Sequence, residues 1–257
     1  MRCAVSQISQ AHAPSAGASI EELKRQVWLA NLDLVKAGLV VLTWGNASAV
    51  DRERGIVAIK PSGVPYDDLQ VQDIVLVSLE TGEPLPGEKM RPSSDTPSHV
   101  CLYQNFASIG GIAHTHSRNA TSWAQACREI PCYGTTHADT FAGPVPLCRE
   151  LTPTEIQDAY EWNTGVAIVD HFRKFDIDPL HVPGVLLPHH APFTWGKSVA
   201  AAVEVAIIVE EVAGLAMRTE AINPRAETTS QAMLDKHFTR KHGAGAYYGQ
   251  KLPLGKT

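Results

Sequence analysis

Two histidines one residue apart, His114 and His116, close the apolar run Ile109-Gly-Gly-Ile-Ala113. Side chains alternate across an extended strand, so positions i and i+2 project together. Two imidazoles placed side by side in this way are suited to holding one metal ion. The pair by itself describes two ordinary, partly buried histidines equally well, so a third donor decides the reading. His190 supplies one: it follows Gly184-Val-Leu-Leu187, a second apolar strand, and would complete a set of three neutral nitrogens. Three protein ligands with an open fourth position is the arrangement of a catalytic rather than a structural zinc. His189, its neighbour, is expected to point the other way.

Other polar groups stand at strand and helix ends. Asp95 lies in Ser93-Ser94-Asp95-Thr96, a helix entry. Ser and Asp there ordinarily cap the helix; alternatively Ser93, Ser94 and the free amides face a phosphate, with Asp95 near enough to the metal to ligate it or move a proton. Asn46 after Gly45, and Lys60-Pro-Ser62-Gly63, form two more short loops. Gly63 permits close backbone approach, and Lys60 and Ser62 bring hydrogen-bond donors, although either loop also reads as a plain turn. Asp139, in Thr135-Thr-His-Ala-Asp139, has no Lys or Arg near it in sequence and is a proton-transfer candidate or a solvated carboxylate. Tyr248, near the C-terminus, is a phenol donor or a surface side chain.

These residues need a scaffold. Ser19-Ile-Glu-Glu22 has capping-box spacing, and Ile20, Leu23, Val27, Ala30 and Leu34 continue a helix that Gly38 closes. A hairpin ending in the strand Ile56–Lys60 and a third strand, Ile74–Leu79, follow. A helix from Asp95 to about Phe106 leads into the His114 strand. Beyond it come a helix over about 118–128, short strands around Ile130–Thr135 and Val145–Leu147, and a helix from Thr152 to about Phe172. The Gly184–Leu187 strand, a long Ala/Val-rich helix over about 198–217 and a last helix over about 229–242 complete the series. Interleaved helices and strands without a repeat imply one layered α/β domain.

Composition bounds the rest. The chain has 257 residues, 44% hydrophobic and 19% charged, with a net charge of −5, as in ordinary globular proteins. No Lys/Arg run offers a nucleic-acid surface, and no apolar stretch approaches the roughly 18 residues of a membrane span. The five cysteines form no C-x-x-C and, with neither a basic n-region nor an apolar h-region at the start, read as free thiols in the cytoplasm. Residues 1–18 are expected to be a disordered extension, 19–250 the working domain and 251–257 a tail.

Taken in order, Leu42-Thr-Trp-Gly-Asn-Ala-Ser48, Lys60-Pro-Ser-Gly63, Pro92-Ser-Ser-Asp-Thr-Pro97, Gly110-Gly-Ile-Ala-His-Thr-His-Ser117, Gly134-Thr-Thr-His-Ala-Asp139, Ala191-Pro-Phe-Thr-Trp-Gly196 and Asp235–Gly243 with Tyr247-Tyr248-Gly249 resemble the class II aldolase/epimerase family. The resemblance spans roughly 20–250. It implies a three-layer α/β fold, with a central, mostly antiparallel sheet flanked by helices. It implies a zinc site (manganese or another divalent metal being the alternatives) of His114, His116 and His190 with Asp95 at or near it. It further implies phosphate and substrate contacts from Gly45, Asn46, Lys60, Ser62, Gly63, Ser93 and Ser94. Acid/base work falls to Asp139 and Tyr248 across a subunit boundary in a homotetramer. Around His190 the chain has Pro188-His189 and Ala191 where the family more often has His-Ser-His-Gly.

The activity so implied is interconversion of L-ribulose 5-phosphate and D-xylulose 5-phosphate, in arabinose catabolism, with L-xylulose 5-phosphate an alternative substrate. Carbon 4 of a ketopentose phosphate has no acidic hydrogen, so inversion requires cleavage of the bond between carbons 3 and 4 and re-addition. A divalent metal serves as electron sink and a phosphate anchor restrains the pieces. A Schiff base on Lys60 is the alternative sink. Two rivals remain: an aldolase releasing dihydroxyacetone phosphate and an aldehyde, and a non-catalytic aldolase-like binding protein as in adducin. Family aldolases carry glutamate at the position of Asp95, and adducin-type heads lack the metal histidines.

Overall fold

The alternation expected of buried strands runs through all three early strands and determines the layers. A computed structural model describes residues 19–242 and 246–247. Its strands are β1 (Asn46–Asp51), β2 (Ile56–Ile59), β3 (Val75–Ser78), β4 (Gly111–His114), β5 (Gly184–Leu186) and β6 (Pro192–Gly196). They form one sheet in the order β3-β2-β1-β4-β6-β5, with every neighbouring pair antiparallel. Ile56, Ala58 and Leu76 face a core shared with helices α1 (Ile20–Lys36) and α6 (Val199–Ile222). Val57, Val75 and Val77 face the opposite core, built on α2 (Thr96–Asn105), α3 (Arg118–Gln125) and α5 (Pro153–Lys174). Both faces are therefore covered, which is why Ile56-Val-Ala-Ile59 is apolar throughout. No helix among the described residues is long and apolar enough to cross a membrane.

Local signals act as their chemistry predicts, with exceptions. Ser19 accepts from the Glu22 amide at 3.1 Å, but Glu22 turns its carboxylate to Arg25 (2.7 Å), so only half of the capping box forms. Ile20 is 44% exposed and lies off the buried stripe. Thr152 and Glu155 make the complete box at the start of α5. The strands expected around 130–135 and 145–147 are absent. Ile130 and Val145 make one isolated bridge, because Pro131, Pro144 and Pro146 remove ladder donors. Thr135–Ala138 instead forms the short helix α4. The sequence reading assigned no strand to Ala191–Gly196, yet β6 lies inside the sheet between β4 and β5. Pro192 is tolerated there as the first strand residue. The final helix, α7, runs over Gln231–Lys241.

Candidate metal centre and substrate cavity

Register converges the polar groups on one end of the sheet. Asn46 begins β1 opposite His114, the last residue of β4, and His114 in turn lies opposite Phe193 near the start of β6. β4 ends at His114, so His116 stands just past the strand. His190 sits in the tight turn entering β6, where its amide bonds Leu187 O at 3.1 Å. The three rings form a near-equilateral set: centroids are 5.0 Å apart for His114–His116, 4.9 Å for His114–His190 and 5.0 Å for His116–His190. One nitrogen from each lies within 4.8 Å of the other two.

The surroundings prepare these rings as ligands. His114 Nδ1 is 2.9 Å from the Pro192 carbonyl. A carbonyl only accepts, so Nδ1 carries the proton and Nε2 keeps the lone pair. Phe193 stacks on the same ring at 4.1 Å. Burial pushes His190 down to about 3 and His116 to about 4, with the neighbouring histidines adding to both. Each is thus the neutral, coordinating form at ordinary pH. Tyr160 follows a break in α5 at Ala159 and lies with its hydroxyl 3.3 Å from His190 Nδ1.

Asp95 occupies the cap position of α2 but makes no side-chain cap bond. Asn46 Nδ2 donates to its Oδ2 at 2.6 Å. Burial alone would raise this carboxyl, but His114, His99, the Asn46 amide and His190 outweigh it and hold the group below the usual range. An ionised, buried carboxylate beside three imidazoles fits a cation. So does Asn46 Oδ1, which is buried without a partner. The donor set and these two observations fit a divalent metal.

A cavity of about 570 Å³ opens beside the histidines, lined by Gly45, Asn46, Lys60, Ser62, Gly63, Ser93, Ser94, Asp95 and His116, with Thr43, Trp44 and Pro61. Gly45 has φ +80°, and a Cβ there would meet His114 O at 2.9 Å; only glycine lets the loop pass so near the ligand strand. Lys60 is 2% exposed, donates to Val64 O at 2.9 Å and lies 4.7 Å above the Tyr66 ring. Burial lowers it to about 8, so at neutral pH it is still mainly a cation facing the cavity. Tyr66 donates to Gly45 O at 2.8 Å. Sequence reasoning missed Tyr66 and Tyr160. It also missed the buried chain in which His99 Nδ1 and the Tyr103 hydroxyl meet Ser48 Oγ at 2.7 and 2.9 Å. Apart from Ser48, none of these sits in a motif, and only tertiary contact reveals them.

Asp139 lies elsewhere, on a second cavity of about 540 Å³ that shares no lining residue with the first. No Lys or Arg lies near Asp139 in sequence, but the fold brings basic partners to it, and it is not a freely solvated carboxylate. Arg240 grips it through two nitrogens at 2.9 and 2.7 Å, and His237 Nδ1 stands at 3.0 Å. The partners are on α7, about a hundred positions away, at spacings that share one helix face. Burial is outweighed by these hydrogen bonds and by Lys241, and the carboxyl is held low. Tyr248 lies outside the described residues.

This fold and site define a class. Residues 25–217 match the class II aldolase and adducin N-terminal domain, and the chain belongs to that family. Its relatives include L-ribulose-5-phosphate 4-epimerase UlaF of Salmonella paratyphi B and of Salmonella typhi, each 50% identical over 232 residues, covering 90% of this chain and 100% of the relative. Among solved structures, an L-fuculose 1-phosphate aldolase superposes with a TM-score of 0.73 at 22% identity, over 86% of this chain and 97% of that one. The L-fuculose 1-phosphate aldolase of Glaciozyma antarctica PI12 gives 0.71 at 16% identity, over 93% and 89%. At such identities the structures speak for the fold alone.

Proposed function

We propose that this chain is a metal-dependent epimerase interconverting L-ribulose 5-phosphate and D-xylulose 5-phosphate by breaking and re-forming the bond between carbons 3 and 4. The observation carrying this reading is the convergence of three imidazoles beside a cavity whose other walls offer Lys60, Ser62, Ser93, Ser94 and Asn46. The relatives named as 4-epimerases at 50% identity support the same substrate.

A divalent metal, zinc in the first instance, would be held by His114, His116 and His190 with Asp95 beside them, and supplies Lewis-acid stabilisation of the negative charge that cleavage creates. The protein's own groups do the rest. The substrate phosphate is on carbon 5, so cleavage leaves it on the two-carbon aldehyde, with the three-carbon enediolate as the other piece. Lys60 and the Ser62, Gly63, Ser93 and Ser94 loops hold that phosphate while the aldehyde turns its other face, and Asn46 and Gly45 close the wall. Holding both pieces in one cavity is worth a large part of the barrier. Asp139, ionised, accepts the proton of the carbon-4 hydroxyl on one face, and Tyr248 donates to the re-forming alkoxide on the other. In this reading they reach the metal centre from a neighbouring subunit of a homotetramer. A Schiff base on Lys60 would leave the three convergent histidines without a task.

The test is incubation with L-ribulose 5-phosphate while following D-xylulose 5-phosphate, before and after chelator treatment. Conversion that a chelator abolishes and added zinc or manganese restores is expected. Free glycolaldehyde phosphate and dihydroxyacetone as main products would make the chain an aldolase. No conversion, with no bound divalent metal, would leave a binding protein.

A further inference from the structure

His189 belongs to a second cluster. Its backbone is left-handed, φ +58°, and its side chain leaves the metal centre for the surface. There its Nε2 stands 3.3 Å from Cys127 Sγ and 3.5 Å from Glu150 Oε1. The three donor atoms all lie within 4.8 Å of one another. They come from three separate segments: the residues just after α3, the loop before α5 and the turn before β6. One carbonyl ties two of them together, because Ala124 O accepts from both the Cys127 amide (3.1 Å) and the His189 amide (3.0 Å).

We propose that Cys127, His189 and Glu150 form a second site, facing solvent, for a thiophilic divalent cation such as zinc, with its fourth position open to water. Bond lengths to zinc of about 2.3 Å for sulfur and 2.0–2.2 Å for nitrogen or oxygen place tetrahedral donors roughly 3.5–3.7 Å apart across a sulfur edge and roughly 3.3–3.6 Å apart across a nitrogen–oxygen edge. The His189–Glu150 separation of 3.5 Å matches its edge, and the Cys127–His189 separation of 3.3 Å comes within a few tenths of an ångström of its own. A thiolate and a carboxylate together balance a +2 charge, and the imidazole brings the soft-to-borderline character that favours zinc or cadmium over magnesium or calcium. The site arises where this chain carries Pro188-His189 in its turn. Because His189 and His190 are consecutive, an ion here would clip the end of α3 to the turn that carries a ligand of the catalytic centre.

The test titrates the full, chelator-treated chain with cadmium and follows the ultraviolet charge-transfer band of cadmium–thiolate bonding. The His114–His116–His190 centre has no sulfur donor and gives no such band. Cys101, Cys132 and Cys148 are buried, and Cys3 is controlled by a Cys3→Ser variant. Two cadmium ions per chain are expected, the band saturating with one of them. Cys127→Ser should lose the band, retain one ion per chain and keep full turnover when zinc-loaded. Glu150→Gln should keep a band but require on the order of tenfold more cadmium to reach it. One ion per chain without a band, or a band that survives Cys127→Ser and disappears in Cys3→Ser, would overturn the proposal. Neither result bears on the epimerase reading, which turnover tests separately.

Discussion

Burial tunes individual side chains here as strongly as charge does, and His137 isolates the effect away from the metal centre. It is 3% exposed, its Nε2 donates to Gly143 O at 3.0 Å, and burial pushes it down to about 4 from 6.5. Its neutral form is the one the fold accommodates. Between about pH 6.5 and 4 the unfolded chain binds a proton that the folded chain refuses, so stability falls as pH drops through that window and levels below it. The loss from this group is on the order of 3 kcal/mol at full extent. Denaturant midpoints measured across this window should show the decline, and His137→Gln should flatten part of it. An unchanged slope in the variant would mean that the buried imidazole titrates normally. His116 and His190 share this preference for the neutral form, to a different end: it keeps their lone pairs available.

At the scale of elements, the sheet and α6 approach so closely that side chains are excluded between them. A Cβ on Gly111 would stand 2.2 Å from the Val199 amide nitrogen, and one on Gly110 2.3 Å from Lys197 O. Both contacts are with backbone, so no rotamer change relieves them. Gly111→Ala should therefore cost several kcal/mol or prevent folding, since it moves the start of α6 or the ligand strand β4. Gly143→Ala, with open space around it, should change stability by less than about 0.5 kcal/mol. Chemical denaturation of the two variants decides the matter: equal stabilities would mean that α6 yields freely. The same element logic explains Asp95. Its position at the head of α2 suggests a cap, but β1 begins at Asn46 beside it, and the carboxylate accepts from the Asn46 amide instead of capping the helix.

At the scale of the molecule, the two candidate halves of the chemistry lie on separate cavities of one chain. His116 and Asp95 line one, and Asp139 with α7 lines the other. Shared sites in a homotetramer would unite them, and this has a direct consequence. Asp139→Asn and His190→Ala should each be nearly inactive alone, the first with its metal content intact. Unfolded together and refolded, they should regain activity in those mixed assemblies where an intact histidine set faces an intact Asp139. Mixtures that stay as inactive as their parents would place both groups at work within one subunit.

The sequence by itself determined what depends on neighbours along the chain. The α5 capping box follows from Thr152 and Glu155, the two-sided burial of β2 from an unbroken apolar run, and the nitrogen donors from residue identity. Ordered motifs added the antiparallel, three-layer fold and the family. Tertiary structure alone decided which distant groups meet. The Arg240 grip on Asp139, the placing of β6 between β4 and β5, and the meeting of Cys127, Glu150 and His189 all join positions far apart in sequence. Such pairings are set by strand register and helix packing over the whole chain, and a linear pattern carries no record of them.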